Sequence, residues 1–287
     1  MKTTDIFKKK RVFSFEVFPP KRTMPMEKIY DTLDELALLN PDFISVTYGA
    51  GGSASAYTTE IASKIKNDLK IESVAHLTCL YLTEEEARES LLRIEESGIE
   101  NVLALRGDRS PDFEPKNRFH HASDLISFIK ENNPNLNILG ACYPEGHSEA
   151  ISKADDIRFL KEKTTAGASH LVSQLFFNND TFFDFVEKAR LAGINAPIEA
   201  GIMPVTNKKQ IERMANLCGA SLPDKFLKIV NRFGDNPEAM RDAGIAYAVE
   251  QIVDLAARGV DGIHLYTMNN PYIARKISEA VKTVINA

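Results

Sequence analysis

The sequence contains few cysteines, no long apolar run and no excess of positive charge. Cys79, Cys142 and Cys218 stand far apart, without metal-ligand spacing or a CxxC pair, which is typical of structural thiols in a reducing cytoplasm. No apolar run is long enough to span a bilayer, and no apolar segment follows the lysine-rich residues 1–11, so we expect neither a membrane anchor nor a signal peptide. The net charge of -5 does not favour nucleic acid as a partner.

Several motifs of common enzyme classes are also missing. There is no GxxxxGK[ST] phosphate loop, no HExxH zinc motif and no GxSxG nucleophile elbow. His120 and His121 are adjacent, a spacing that suits a metal-ligand pair on neither a helix nor a strand. We therefore expect no metal site and no serine-hydrolase chemistry.

What the sequence does contain is a repeated βα unit. Four helical segments end in a glycine that directly precedes an apolar segment, at Gly98, Gly167, Gly193 and Gly259, and residues 83–86 form a capping box. Successive units are spaced by about 30 residues, as expected for a strand followed by a helix. Eight short apolar segments are predicted as strands: 12–18, 43–48, 74–79, 102–105, 138–143, 171–176, 198–203 and 262–266.

Eight such units in 287 residues predict a (β/α)8 barrel, of the α/β class, that occupies residues 1–287 as one domain. A doubly wound sheet is the alternative. The interval between the last two strands is long, and we expect extra helices there around Met214, Phe226 and Ala246.

Polar side chains collect where the predicted strands end, which is where active sites form in such barrels. Any one of them could instead cap a strand or bond a loop. Glu16 is the most unusual, because it lies inside the apolar segment 12–18; it either faces water at an edge or is paired, protonated or directed into a cleft. The others are Thr47, Tyr48, His76, Thr78, Arg106, Asp108, Tyr143, His147, Gln174 and Tyr266.

Residues 49–54 fit the dinucleotide pattern G-x-G-x-x-A but follow the second strand. His76 and Thr78, instead of an acidic residue, stand at the end of the next strand. We interpret this segment as a βα loop whose glycines let the backbone approach a ligand.

Seven short motifs, in order along nearly the whole chain, together resemble the methylenetetrahydrofolate reductase family in its short bacterial form, without the regulatory domain of the long eukaryotic form. They are FEVFPPK at 15–21, SVTYGA at 45–50, HLTC at 76–79, ALRGD at 104–108, YPEGH at 143–147, QLFF at 174–177 and GIMPV at 201–205.

The resemblance implies a flavin-dependent oxidoreductase with noncovalently bound FAD and a ping-pong mechanism. NADH or NADPH reduces the flavin and leaves, and 5,10-methylenetetrahydrofolate is then reduced to 5-methyltetrahydrofolate, which supplies methyl groups for methionine synthesis. It also implies a cytoplasmic homo-oligomer. Two alternatives stay open: a flavin-free barrel enzyme acting on folate or a pterin, such as a methyltransferase, and a non-catalytic binding protein.

The resemblance also implies roles for particular residues. Glu16 matches the general acid that protonates N10 of the folate, and we expect burial and the neighbouring Asp108 to raise its pKa. Asp108 also matches a contact to both folate and flavin, and Gln174 and Gln210 match folate-binding positions. The residues that match FAD contacts are Thr47, Tyr48, Ala50, His76, Arg106, Gly107, Asp108, Ala122, Tyr143, His147, Ala150, Asp156 and Lys163. For Asp156 and Lys163 the alternative is a solvated helix face.

Four positions depart from the family pattern. Phe159 and Glu162 replace an asparagine and an arginine on the adenine side of the flavin, and Asn270 replaces an arginine that meets the folate glutamate tail. Met214 replaces a mobile phenylalanine that gates the shared nicotinamide and folate face. Methionine can fill that volume but stacks less strongly. These changes leave the choice among NADH, NADPH and a protein electron donor open.

Overall fold

In the computed structural model of the chain, residues 1–20, 24–48, 54–109 and 114–287 are described. These residues contain eight parallel strands that close into a barrel in chain order. The strands are β1 Val12–Val17, β2 Phe43–Val46, β3 Glu72–Thr78, β4 Asn101–Leu105, β5 Asn137–Cys142, β6 His170–Ser173, β7 Ile198–Ile202 and β8 Gly262–Tyr266. Because β1 pairs with β8 as well as with β2, the sheet has no edge, and the predicted barrel is confirmed over the doubly wound alternative.

The described part of the chain also contains eleven helices. They are α1 Thr4–Phe7, α2 Glu27–Ala37, α3 Ala54–Asn67, α4 Glu84–Glu96, α5 Ala122–Asn132, α6 Lys153–Ala166, α7 Asn179–Leu191, α8 Lys208–Cys218, α9 Asp224–Phe233, α10 Pro237–Ala257 and α11 Pro271–Ile285. The extra helices predicted between the last two strands are confirmed as α8 and α9, which precede α10. The capping box of α4 is present, and the four predicted helix-end glycines have positive φ angles.

Two predicted strands end two or three residues before their apolar segments do. β2 ends at Val46 and β6 at Ser173, so Tyr48 and Phe176 lie in loops. The segment at β6 continues as apolar sequence because Phe176 is buried in a loop. Its ring is fully buried and stacks on Phe182 at 4.9 Å between ring centroids. Shorter strands leave more loop at the carboxyl ends, where the candidate site residues lie.

The barrel interior holds an apolar layer near the amino ends of the strands and several buried polar side chains. Val12, Phe43, Val74 and Leu139 form the apolar layer, and Ile6 of α1 packs beneath it. The buried polar side chains lie at different levels: Ser45 and His76 toward the carboxyl ends of their strands, His264 in the middle of β8, and Ser14, His170 and Glu199 toward the amino ends. A barrel that needed only stability would be filled there by branched apolar side chains. These buried polar side chains therefore need a reason other than stability.

Candidate active site

Glu16 lies near the carboxyl end of β1, with Ser45 of β2 opposite it on one side and Tyr266 of β8 on the other. Its side chain is 18% exposed, so the edge-strand interpretation is wrong, since the barrel has no edge. The loop after β8 fixes the backbone here, because the Thr267 hydroxyl donates to the Glu16 carbonyl at 2.7 Å.

The same loop also holds the backbone of Phe18, just after β1. The Asn269 side chain donates to the Phe18 carbonyl at 2.8 Å and accepts from the Phe18 amide at 3.1 Å. Asn269 reaches this position with a φ angle of 52°, a left-handed conformation that asparagine tolerates better than most residues. The carboxyl end of β1 is thus anchored to the β8 loop by backbone-directed hydrogen bonds.

The carboxylate of Glu16 faces a small group that we call the acid–base pocket, formed by Glu16, Ser45, His76 and His264. From Glu16 Oε2, the distances are 3.4 Å to His264 Nε2, 3.5 Å to the Ser45 hydroxyl and 3.6 Å to His76 Nε2. Both imidazoles are buried, and His76 Nε2 has no hydrogen-bond partner among the described residues. A carboxyl flanked by two imidazoles can give or take a proton, which is the requirement for general acid–base chemistry.

The expectation that Glu16 has a raised pKa is wrong for this structure. Burial raises its pKa, but the hydrogen bond to His264, the electrostatic attraction of His76 and His264, and the Ser45 hydroxyl outweigh burial and lower it. Burial lowers the pKa of His76 to about 4, so this imidazole is neutral near pH 7. Glu16 is therefore ionised near neutral pH.

Asp108 does not contribute to this environment as expected. It follows β4 in an exposed position, and the groups that set the pKa of Glu16 are His264, His76 and Ser45. The negative charge of Asp108 acts instead on Arg106, Tyr143 and Cys218. Asp108 is thus an exposed carboxylate near Arg106 and Tyr143.

Tyr266 connects the pocket to β6. Its hydroxyl passes over Gly201 and donates to the Ser173 carbonyl at 2.7 Å, and a β-carbon at position 201 would lie only 2.7 Å from that hydroxyl. Burial, and next the charge of Glu16, raise the pKa of Tyr266 well above its usual value, so it stays a hydrogen-bond donor. Gln174, a predicted folate residue, comes directly after Ser173, and its Oε1 accepts from the Leu175 amide at 2.9 Å.

On the β4 to β6 side, five predicted FAD residues form what we call the cationic cluster: Arg106, Tyr143, His147, Asp156 and Lys163. The Tyr143 and His147 rings meet edge to face at 4.7 Å, and the Lys163 ammonium lies 5.4 Å from the Tyr143 ring centroid. Arg106, Asp156 and Lys163 all act electrostatically on His147. The cluster carries two fixed cationic side chains, which suits a ligand with a negatively charged diphosphate.

The solvated-face alternative for Asp156 and Lys163 is wrong. Asp156 is only 9% exposed, and burial raises its pKa. The Lys163 ammonium donates to the Ala141 carbonyl at 2.9 Å, and burial lowers its pKa. Long charged side chains are rarely buried without a functional or structural reason.

Arg106 is held by a residue that the sequence did not single out. Both Arg106 Nη atoms donate to the Glu149 carboxylate at 2.7 Å. Glu149 is 45% exposed, whereas Arg106 is 19% exposed. Glu149 thus neutralises Arg106. An anionic ligand that bound Arg106 would have to compete with the Glu149 carboxylate.

The remaining predicted FAD residues line the adjoining loops, and one lies outside the described residues. Thr47 and Tyr48 follow β2, Gly107 follows Arg106 with a φ angle of 87°, and Ala122 opens α5. Ala150 precedes α6, and its amide donates to the His147 carbonyl at 2.9 Å. Ala50, with the rest of 49–53, is not among the described residues.

Gln210, a predicted folate residue, lies in the first turn of α8, where its backbone amide donates to the Asn207 side chain at 3.3 Å. Met214 follows it by one helical turn on the same face and packs on the cluster formed by Met203, Phe226 and others. Asn270 caps α11 by accepting from the Ile273 amide at 3.3 Å. A helix-capping role thus accounts for Asn270 where the family pattern has an arginine.

Phe159 and Glu162, the other two departures, both lie on α6. Phe159 stacks on His121 with 5.2 Å between ring centroids, and Arg158 lies 4.4 Å over the Phe159 ring. Glu162 accepts from Arg158 at 3.0 Å. These two side chains therefore have partners within the protein, and neither joins the cationic cluster.

Sequence reasoning missed four further residues: Ser14, Glu199 and His264 in the polar interior, and the exposed Glu149 beside Arg106. Strand alternation could have found two of them. Ser14 shares a strand face with Glu16, and His264 shares one with Tyr266, because side chains alternate with period two. Glu199 lies in an apolar strand, as Glu16 does, and the same argument about a buried acid applies to it.

Fold and site together define a (β/α)8 barrel with an acid–base pocket and an adjoining cationic cluster at the carboxyl ends of its strands. A sequence model described as methylenetetrahydrofolate reductase matches residues 2–282. The chain belongs to the methylenetetrahydrofolate reductase family.

Relatives include both long and short proteins. The chain is 38% identical over 271 residues to methylenetetrahydrofolate reductase (NADH) 1 of Arabidopsis thaliana, which covers 90% of this chain but 46% of the plant protein. It is 34% identical over 256 residues to 5,10-methylenetetrahydrofolate reductase of Escherichia coli, covering 89% of this chain and 86% of that one. The chain thus spans about half the length of the plant relatives that it matches and most of the bacterial one.

One solved structure shares the fold at low sequence identity. It is described as an uncharacterized protein from Clostridium thermocellum that binds two copies of 5-methyl-5,6,7,8-tetrahydrofolic acid, with a TM-score of 0.73, 17% identity and 99% coverage of both chains. At this identity the likeness supports the barrel architecture alone. Separately, none of the helices in the described ranges is long and apolar enough to cross a membrane.

Proposed function

We propose that the chain reduces 5,10-methylenetetrahydrofolate to 5-methyltetrahydrofolate with electrons from NADH or NADPH, using noncovalently bound FAD in a ping-pong mechanism. Family membership and the acid–base pocket support this proposal. The observation that carries it is Glu16, a carboxyl group held between His76 and His264 at the carboxyl end of a barrel strand. The product supplies methyl groups for methionine synthesis, and we propose that the enzyme is a cytoplasmic homo-oligomer.

The cationic cluster fits FAD. Arg106 and Lys163 offer cations for the diphosphate, Tyr143 offers a ring face, and the buried Asp156 offers acceptor oxygens for hydroxyl groups. His76 Nε2 lacks a partner among the described residues and can bond to a ligand atom. When bound, FAD supplies the hydride-transfer chemistry that amino-acid side chains cannot perform.

Glu16 is proposed to protonate N10 of the folate. The bridging carbon becomes an electrophile when the ring opens at N10 and leaves a cationic iminium at N5, and N10 needs a proton to depart. The Glu16 side chain is 18% exposed. A folate that covers it removes the remaining water, and this desolvation favours the protonated carboxyl.

Asp108 and the two glutamines are proposed to position the substrate. The exposed carboxylate of Asp108 can attract the iminium cation electrostatically. Gln174 and Gln210 carry amides that both donate and accept, which suits the edge of a pterin. Tyr266, which donates to the Ser173 carbonyl at 2.7 Å, keeps the end of β6 close to Glu16.

The test is an anaerobic visible spectrum of the purified protein, recorded first alone and then after NADH. We expect a flavin band that bleaches with NADH and returns when 5,10-methylenetetrahydrofolate is added. A flavin band that NADH cannot bleach would point to another electron donor. Absence of the band, even after incubation with FAD, would contradict the reductase and favour a flavin-free enzyme acting on folate.

A further inference from the structure

A chain of buried polar groups continues from the acid–base pocket into the barrel interior. The Ser14 hydroxyl lies 2.8 Å from Glu199 Oε1 and 2.6 Å from His264 Nδ1. His264 Nε2 lies 3.4 Å from Glu16 Oε2. Ser14, Glu199 and His264 are each 0% exposed, so this chain links a fully buried carboxyl group to the partly exposed Glu16 without contact with solvent.

Register and strand order explain why these residues meet. Ser14 of β1 lies opposite His264 of β8, and Glu199 of β7 lies opposite Gly262. Glycine at position 262 leaves space, since a β-carbon there would lie 2.9 Å from the Glu199 side chain. The Glu199 carboxyl group therefore passes over Gly262 to reach Ser14 on the far side of β8.

The interior offers Glu199 no full countercharge. Its Oε2 has no hydrogen-bond partner among the described residues, and His170 Nε2 lies 3.8 Å away. Burial lowers the pKa of His170 to about 3, so this imidazole is neutral. Burial, with a smaller contribution from Asp42, raises the pKa of Glu199 to about 7 against the opposing effects of His264 and Ser14. Glu199 is thus a carboxyl group that holds a proton near neutral pH.

We propose that Glu199, Ser14 and His264 form a relay that stores a proton inside the barrel and delivers it to Glu16. This inference rests on the proposed function, in which Glu16 must be protonated before it can act on the folate. Glu199, Ser14 and His264 are positioning and proton-supplying residues, since each is 0% exposed and acts through Glu16.

The step balances with one proton and no change in total charge. The Glu199 hydroxyl proton passes to the Ser14 oxygen, the Ser14 proton passes to His264 Nδ1, and the Nε2 proton of His264 passes to Glu16 Oε2. Glu199 ends as a carboxylate that accepts from Ser14, and Glu16 ends as an acid that donates to His264 Nε2. Every hydrogen bond reverses direction and none is lost, so both end states satisfy the buried polar groups.

The transfer is uphill with the geometry seen here, because Glu16 has a lowered pKa and Glu199 a raised one. The 3.4 Å separation of His264 and Glu16 is also long for a hydrogen bond. A ligand that covers Glu16 should make the transfer less uphill and shorten the distance between His264 and Glu16. Desolvation raises its proton affinity, and catalytic hydrogen bonds often tighten only in the substrate complex.

The test compares Ser14→Ala and Glu199→Gln with Ser73→Ala. Ser73 is a buried serine on β3 whose hydroxyl has no partner among the described residues, so it controls for loss of a buried hydroxyl. We expect both relay variants to slow the folate half-reaction by about 10- to 100-fold, within the range of general acid catalysis. Reduction by NADH should stay within about twofold, since that step needs no proton from Glu16.

The pH profile separates a relay from a structural role. Glu16 and Glu199 share one proton in the wild type, so the folate rate should fall with an apparent pKa that belongs to the pair. In Glu199→Gln this pKa should drop by more than about one unit, because Glu16 then titrates alone. An unchanged apparent pKa and rate in Glu199→Gln, or equal slowing in Ser73→Ala, would overturn the relay. If Glu199→Gln does not fold, Ser14→Ala decides by the same criteria.

Infrared difference spectra provide a readout that needs no turnover. Between pH 6 and pH 8, the ligand-free wild type should lose a protonated-carboxyl band that is absent from Glu199→Gln and present in Ser73→Ala. Identical spectra for wild type and Glu199→Gln would overturn the relay even if folate is reduced. A band with the expected behaviour, in a protein that does not reduce folate, would instead overturn the proposed function and leave the proton store in place.

Discussion

Removing the buried carboxyl group of Glu199 should change how the stability of the protein depends on pH. The folded protein raises the pKa of Glu199 from 4.5 to about 7. Between these values the folded state binds more protons than the unfolded state, so stability falls as pH rises and the loss is complete above about pH 7. At 1.36 kcal/mol for each pH unit, the loss amounts to about 3 kcal/mol.

The perturbation is Glu199→Gln, which keeps an acceptor for Ser14 but cannot ionise. Urea unfolding followed by far-ultraviolet circular dichroism at pH 5, 6, 7 and 8 measures the effect. Relative to wild type, the variant should gain about 2–3 kcal/mol of unfolding free energy between pH 5 and pH 8. Glu250→Gln is the control: its carboxylate is 58% exposed, so its curve should run parallel to that of wild type.

The contribution of Glu16 to stability should depend on pH in the opposite direction to that of Glu199. Its folded pKa is lowered, so its contribution to stability is present above the ordinary value of 4.5 and is lost as pH falls through the folded pKa. Glu16→Gln should therefore lose stability relative to wild type at neutral pH and approach it in acid.

For Glu199, parallel stability curves for wild type and Glu199→Gln would refute the reasoning. They would mean that ionisation of this buried carboxyl group does not destabilise the folded protein.

Three further outcomes are expected at the site. Asp108→Asn should slow the folate half-reaction about tenfold or more and the nicotinamide half-reaction less, in stopped-flow experiments; equal effects would make Asp108 structural. Lys163→Met should weaken FAD binding by about tenfold in a fluorescence titration, by loss of a buried cation; unchanged retention would remove Lys163 from the cofactor site. Glu149→Gln should tighten FAD binding by about two- to fivefold at low salt, because Arg106 is then released from an exposed ion pair worth up to about 1 kcal/mol. Weaker FAD binding in this variant would show that Glu149 supports the bound state.

The barrel could be predicted from the sequence because its signals are local and repeated. Apolar segments at about 30-residue spacing, and helix ends such as Gly98 and Gly259, each depend on a few neighbouring residues. The end of β6 could not be predicted in this way, because Phe176 is apolar for a different reason. Phe176 lies in a loop and stacks on Phe182. Apolar character alone does not distinguish a strand from a buried loop.

The surroundings of Glu16 were predicted less well, because they depend on barrel closure. His264 is 248 residues away in the chain and becomes its neighbour only through the pairing of β1 with β8. Burial was correctly expected to raise the pKa of Glu16, but its net direction is set by His264, His76 and Ser45, which outweigh burial. Asp108 looked like a neighbour because both residues end strands, yet its position on an exposed loop separates their roles.

The most direct test of the central claim, that Glu16 is the acid of folate reduction, is a pair of single-turnover measurements on Glu16→Gln. The variant should bind FAD and accept electrons from NADH at a rate within about twofold of wild type. Its reduced flavin should then reoxidise with 5,10-methylenetetrahydrofolate at least about 100-fold more slowly, the effect of removing a general acid. Reoxidation at the wild-type rate would contradict the assignment of Glu16 and, with it, the role of the acid–base pocket.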